Sequence, residues 1–311
     1  PIVQATANPY SLEAVIANTG AASQTMRLDA EIKDGIQSTV FTSSSPSMVL
    51  GPSQQDTFVL SQQFSPLSTG QYDIKMWGVG DSAFTDTVSF QTIVTDYIYG
   101  KDENDYQGWY LVSDPVRQNH VTSYYDIYAD ADLTGIDIYV SPQTNPGAKI
   151  YGVLYEGNTS GSPIFLDQTD DYTVTAADLG NWITLPLNIP YTVNAGMSYE
   201  IAAAGYQGFD TLKIGYSGVA IGTENSLFDE NGTSTNSNGS PTWYYITKNP
   251  MIRMNFNPAL VSISEKESLQ GINIYPNPVC NEVKIELEGL DNSLYTLEFL
   301  DYLGKKVFSK D

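Results

Sequence analysis

Cysteine and histidine are nearly absent, with one of each in 311 residues. A lone cysteine excludes an intramolecular disulfide framework, and a lone histidine excludes a multi-histidine metal site. Basic residues are scarce too: 14 Lys and Arg stand against 36 Asp and Glu, for a net charge of −22 and a pI near 4.1. A chain this acidic repels phosphate backbones, which argues against nucleic acid as a partner. Charged residues reach only 16%, below the roughly 25% of ordinary soluble domains. Polarity therefore rests on Ser, Thr, Asn and Gln, as in many exported β-rich proteins. No apolar run approaches the roughly 20 residues of a membrane-spanning helix. Tyrosine, by contrast, is abundant, at 22 residues. Pro1 is not an initiator methionine and no charged-then-apolar segment precedes it, so both ends read as cut. A secreted protein would be expected to carry a signal peptide before residue 1, and a further domain could precede it there.

At about 150 residues per domain the length suggests two domains with room for a third. Residues 1–95 read as short strands. Met26, Leu28, Ala30 and Ile32 alternate with Arg27, Asp29, Glu31 and Lys33; Tyr72, Ile74 and Met76 keep the same period of two. Such alternation puts one face on a core and the other in water. Gly, Pro and Ser turns every ten to fifteen residues or so, and no helical period sustained over three turns, predict an all-β sandwich. The Asn18-Thr19-Gly20 turn, the Leu50-Gly51-Pro52 bend and the strand Gly70 to Ile74 resemble the immunoglobulin-like cell-adhesion-related domain of bacterial surface proteins. That resemblance implies a spacer or adhesion module.

A polar stretch from Asp96 to Gly108 marks the next boundary. Residues 96–258 are again strand-rich, with Ile136, Ile138 and Val140 alternating and Ile150 to Tyr155 reading as a more buried strand. A jelly-roll-like sandwich is expected there, with one helical turn at Thr175 to Asp178. This segment holds 6 basic and 19 acidic residues, −13 of the −22. Residues 259–271 read as a linker.

The tail, 272–311, carries the most specific motif. Tyr275-Pro276-Asn277-Pro278 sits between apolar alternations, and Gly304-Lys305-Lys306-Val307 follows about thirty residues later. The prolines stop a strand because they cannot donate ladder hydrogen bonds. The pattern resembles the C-terminal sorting domain of the type IX secretion system. The resemblance implies a small β-sandwich, incomplete here because family members usually continue further. It also implies the type IX machinery as partner, and location outside or on the outer surface of a Gram-negative, Bacteroidetes-type bacterium.

No catalytic constellation emerges. His120 has Ser113, Ser123, Asp114 and Asp126 nearby in sequence, but in no triad order, and it reads as a structural residue. Acidic pairs decide nothing among 36 acids. Calcium needs only oxygen ligands, and the candidates for a structural Ca²⁺ are the Asp126, Asp130, Asp132 run first, then Asp102, Glu103, Asp105 and Asp167, Asp170, Asp171, none of which fits a helical-hand loop. Aromatics in loop-like stretches suit stacking on sugar rings: Trp109, Tyr110, Tyr124, Tyr125, Trp243 and Tyr244 are the candidate glycan contacts. The expected function is a non-enzymatic secreted or surface protein that binds a glycan or host-surface polymer through its second domain. The alternative makes these accessory domains behind an N-terminal hydrolase, in particular a peptidase.

Overall fold

A computed structural model describes residues 1–81, 87–157, 163–218, 225–233 and 239–260, with the strands at 272–275, 284–287, 297–300 and 306–310. The chain divides into two compact units, Pro1–Val261 and Ser262–Asp311. Strands dominate both, in antiparallel ladders.

The first unit opens with helix α1 (Ile2–Ala7). Strands β1 (Glu13–Ala17), β2 (Gln24–Asp34), β3 (Thr39–Ser44), β4 (Met48–Leu50), β5 (Gln55–Val59), β6 (Gly70–Val79) and β7 (Val88–Val94) follow. β1 pairs with β5, and the order β3-β2-β6-β7 forms the facing sheet, with β4 on β2. The inward positions read from the sequence, Met26 to Ile32 on β2 and Tyr72 to Met76 on β6, join Ile16, Phe58 and Phe64 in one buried cluster. Each such aliphatic side chain contributes about 1.5–3 kcal/mol on burial. One side chain ties the two predicted bends together. Buried Asn18 donates from Nδ2 to the Leu50 carbonyl at 2.9 Å and the Ala22 carbonyl at 2.8 Å, while its Oδ1 accepts the Gly20 amide at 2.9 Å.

A second core lies further along the unit. Its strands begin with β8 (Ile98–Tyr99), β9 (Gly108–Ser113), β10 (Asn119–Asp126), β11 (Ala131–Tyr139) and β12 (Lys149–Glu156). Next come β13 (Ile164–Gln168), β14 (Tyr172–Thr173), β15 (Trp182–Val193), β16 (Ser198–Ala204) and β17 (Leu212–Ser217). The set closes with β18 (Ser226–Asp229), β19 (Thr242–Tyr245), β20 (Asn249–Pro250) and β21 (Ile252–Asn255). A seven-stranded sheet, β13-β12-β16-β10-β18-β19 with β14 on β12, packs against the sheets β15-β11-β21-β8 and β20-β17-β9. Between them lie Val121, Ile136, Ile138, Leu154, Ile201 and Tyr125, all completely buried.

Two contacts hold this arrangement together. Asp102, its side chain fully enclosed, receives Nε and Nη2 of Arg253 at 2.7 and 2.6 Å, and the same guanidinium lies 3.9 Å over the Trp182 ring. Buried Gln4 bridges the two cores: Nε2 donates to the Ala129 carbonyl at 2.7 Å, and Oε1 accepts the Tyr128 and Ala129 amides at 2.7 and 3.0 Å. That bridge explains α1, which the sequence did not announce: six residues carry too little periodicity, and tertiary hydrogen bonds fix them. Where one helical turn is expected, a hydrogen-bonded turn spans 176–180: Asp178 Oδ2 reaches back to accept the Thr175 amide at 2.7 Å, as in a capping box, and the turn ends at Gly180 with φ +74°.

In the second unit, β22 (Ile272–Tyr275) pairs with β23 (Lys284–Leu287), and β24 (Leu297–Leu300) with β25 (Lys306–Lys310). Tyr275 ends β22; Pro276, Asn277, Pro278, Gly304 and Lys305 lie outside the described residues.

Candidate functional site

Strands β10, β12 and β16 are buried on both faces. One face supplies the core. The period of two sends His120 and Thr122, then Tyr151, Val153 and Tyr155, then Glu200, Ala202 and Ala204 to the other face. Ala202 and Ala204 are small enough to seat the rings of Tyr151 and Tyr155, and Tyr206 and Trp243 pack over this layer. Trp243 stacks on Phe228 at 4.6 Å and 17° and meets Tyr155 edge-on at 5.4 Å. Tyr206 stacks on Tyr151 at 4.9 Å. The result is an aromatic strip across the seven-stranded sheet.

Polar groups thread through the strip. His120 Nε2 lies 3.0 Å from Glu230 Oε2, and Nδ1 lies 2.6 Å from the Tyr155 hydroxyl. A carboxylate only accepts, so Nε2 carries the proton; a neutral ring then accepts the Tyr155 hydroxyl at Nδ1. The hydrogen bond from His120, with its charge when protonated and the Gln118 amide at 2.6 Å, holds the Glu230 carboxyl below the usual range against the opposing effect of burial. Burial pushes the Tyr151 and Tyr155 hydroxyls far up and Tyr206 to about 12, so all three act as neutral phenols. Tyr206 donates to Asp171 at 2.8 Å. At the rim, Asn231 Nδ2 reaches Gln207 Oε1 and the Val116 carbonyl.

Glu200 occupies the same face and behaves oppositely. Burial raises its pKa, although Ser226, at 2.6 Å, and Thr122 both donate to Oε2 and pull the other way. The two glutamates therefore have opposite linkage. Glu230, with a depressed folded pKa, stabilises the fold above its unfolded value and loses that contribution as pH falls through the folded value. Glu200 costs nothing below its unfolded pKa of about 4.3, and its cost grows as pH rises toward the folded value. Glu200→Gln keeps an acceptor for both hydroxyls. Its expected effect is a melting temperature above wild type at pH 8, a difference that closes by about pH 4. A gain of equal size at both pH values would remove the charge from the explanation.

The residues picked from the sequence are dispersed over the second core. Trp243 lies in the strip. Trp109, 40% exposed, sits in the β20-β17-β9 sheet with Lys213 Nζ 3.9 Å from its ring centre. Tyr110 is half-buried, its hydroxyl accepting the Lys248 amide at 3.2 Å. Tyr124 is half-buried and its carbonyl accepts Lys101 Nζ at 2.8 Å. Tyr244 is half-buried opposite Leu227. Tyr125 faces the other way from His120 and is wholly enclosed, donating to the Ile252 carbonyl at 2.7 Å. Asp126, Asp130 and Asp132 each serve a separate local bond, to Ser198 Oγ, the Ala195 amide and Thr192 Oγ1. Among the described residues, no group of three or more His, Cys, Asp or Glu side chains is placed to hold a metal ion.

Sequence alone does not mark His120, Tyr151, Tyr155, Glu200, Tyr206 and Glu230 as contacts. The signal available was Tyr151, Val153 and Tyr155 alternating with Ile150, Gly152 and Leu154, which predicts a second apolar face. The sequence-local partners considered for His120 are elsewhere: Asp114 binds Arg117 at 2.9 Å, and Asp126 binds Ser198.

The chain is thus all-β, with an aromatic strip on one sheet and a strand-paired tail as a second compact unit. Residues 273–311 match the secretion system C-terminal sorting domain, so the chain carries a type IX sorting tail that addresses it to secretion or the cell surface. No curated protein matches the chain. Among solved structures, the M60 catalytic domain with the CBM51-1 and CBM51-2 domains of Clostridium perfringens ZmpB aligns at 7% identity and a TM-score of 0.16. That alignment covers 67% of this chain and 34% of the other, and likeness at that level carries no argument. Among the described residues, no helix is long and apolar enough to cross a membrane.

Proposed function

We propose that this is a non-catalytic binding or adhesion protein of a Bacteroidetes-type bacterium, and that it holds a glycan on the outer face of the seven-stranded sheet. In this reading residues 96–258 form the binding module and residues 1–95 an adhesion or spacer module. The aromatic strip carries the proposal. Trp243 on Phe228 and Tyr206 on Tyr151 give two stacked platforms, with His120, Glu230 and Gln118 joined in one hydrogen-bonded group beside them. Rings take the C–H faces of sugars, and planar carboxylates and amides take their hydroxyls in pairs.

Binding of the full chain to a panel of immobilised oligosaccharides tests this. For the responsive saccharide, Trp243→Ala is expected to weaken affinity at least about tenfold, which is about 1.4 kcal/mol. Trp109→Ala, in a different sheet, is expected to bind as wild type. Unchanged affinity in a folded Trp243→Ala protein, or an equal loss in Trp109→Ala, would overturn the assignment of the face.

A further inference from the structure

Resting on that reading, we infer that the glycan held on this face is cationic, a saccharide bearing protonated amines, and that anionic glycans are refused. The strip lies between carboxylates. Glu230, its side chain 40% exposed, stands beside His120, and exposed Asp171 holds the Tyr206 hydroxyl beyond Tyr151. Basic side chains in this part of the chain already have partners, including Lys149, which precedes Tyr151 by two on β12 and so lies on the strip's own face. Arg117 and Arg253 pair with Asp114 and Asp102; Lys101 and Lys149 bond the Tyr124 carbonyl and Thr173 Oγ1; Lys213 and Lys248 lie over Trp109 and Tyr216. His120, inside the strip itself, is 6% exposed and has both ring nitrogens engaged.

Residues 96–258 carry −13 of the chain's −22, so this part of the chain as a whole attracts cations and repels anions. A uronate or sulfated sugar would bring like charge beside Glu230 and Asp171, and the described lysine on that face, Lys149, is already bonded to Thr173; like charge set against like is how an interface rejects a wrong partner. A protonated amine gains charge-assisted hydrogen bonds to Glu230 or Asp171. It also gains attraction to the faces of the neighbouring rings. Planar rings alone do not distinguish these sugars; the charge does.

Calorimetry on the full chain at about pH 6 decides it, with three oligosaccharides of equal length: β-1,4-glucosamine, its fully N-acetylated form, and an oligogalacturonate. The amine form is expected to bind at least about tenfold tighter than the acetylated form, the advantage shrinking at about 0.5 M salt because exposed charges are screened. Oligogalacturonate is expected to show no binding. Asp171→Asn and Glu230→Gln are each expected to lower the amine-to-acetyl ratio about threefold; Asp171 is exposed, so its variant tests the charge without disturbing the core. Equal binding of amine and acetylated forms, both lost in Trp243→Ala, would leave the glycan reading standing and overturn this inference. Binding of oligogalacturonate would overturn it as well. No binding by any saccharide, here or in the wider panel, would overturn both.

Discussion

Arg253→Met is expected to destabilise the first unit by about 3–5 kcal/mol, because it leaves the enclosed Asp102 carboxylate without its partner. At about 2–4 °C per kcal/mol for a body of this size, the melting temperature falls by roughly 6–20 °C. Most of that cost comes from the stranded charge and not from the lost attraction, since a buried pair is often replaceable by neutral groups at little expense. The double variant Arg253→Met, Asp102→Asn is therefore expected to recover much of the loss. Recovery is incomplete, because the guanidinium also covers the Trp182 ring at 3.9 Å. Thermal and urea melts of the three proteins check this. A single-variant loss below about 1 kcal/mol would mean the pair behaves as a solvated surface bridge.

Tyr125→Ala is the second large effect, at about 3–5 kcal/mol, since the side chain is wholly buried and its removal leaves a cavity between the sheets. Its ring meets Tyr99 edge-on at 5.0 Å, and its hydroxyl serves the Ile252 carbonyl. Tyr125→Phe keeps the ring and gives up the bond, for about 1–3 kcal/mol if the carbonyl stays unsatisfied. Urea denaturation separates the two. A stable Tyr125→Ala protein that binds saccharide poorly would return this residue to the ligand contacts.

The contrast between Tyr125 and His120 shows where sequence reading stopped. Period-two alternation located the inward residues of β2 and β6 because polar and apolar positions alternate cleanly there. On β10 both faces are buried, so alternation assigns residues to two faces without saying which is the core. Tyr124 and Tyr125 looked alike as neighbours, and only the opposing sheet tells them apart. The strip was harder still, because it is assembled from distant positions: His120 meets Tyr155 and Glu230, and Thr122 meets Glu200 and Ser226. Trp243 was legible as an aromatic, but not its stacking partner. The tail was legible for the opposite reason. Its signal is a contiguous string, Tyr275 to Pro278, readable with no knowledge of tertiary contacts.

The placement of β10 has a kinetic consequence. This strand begins at Asn119, yet its two ladder neighbours begin at Ser198 and Ser226. At about 5–20 residues per second, the roughly 80 residues to the first neighbour take about 4–16 s to synthesise. Throughout that interval the central strand has no mate on either side. Loop-closure entropy must be met before such distant pairings return anything, which slows their formation. The seven-stranded sheet is thus expected to close late, and a nascent chain would display β10 as a bare edge open to chaperones or to another copy of itself.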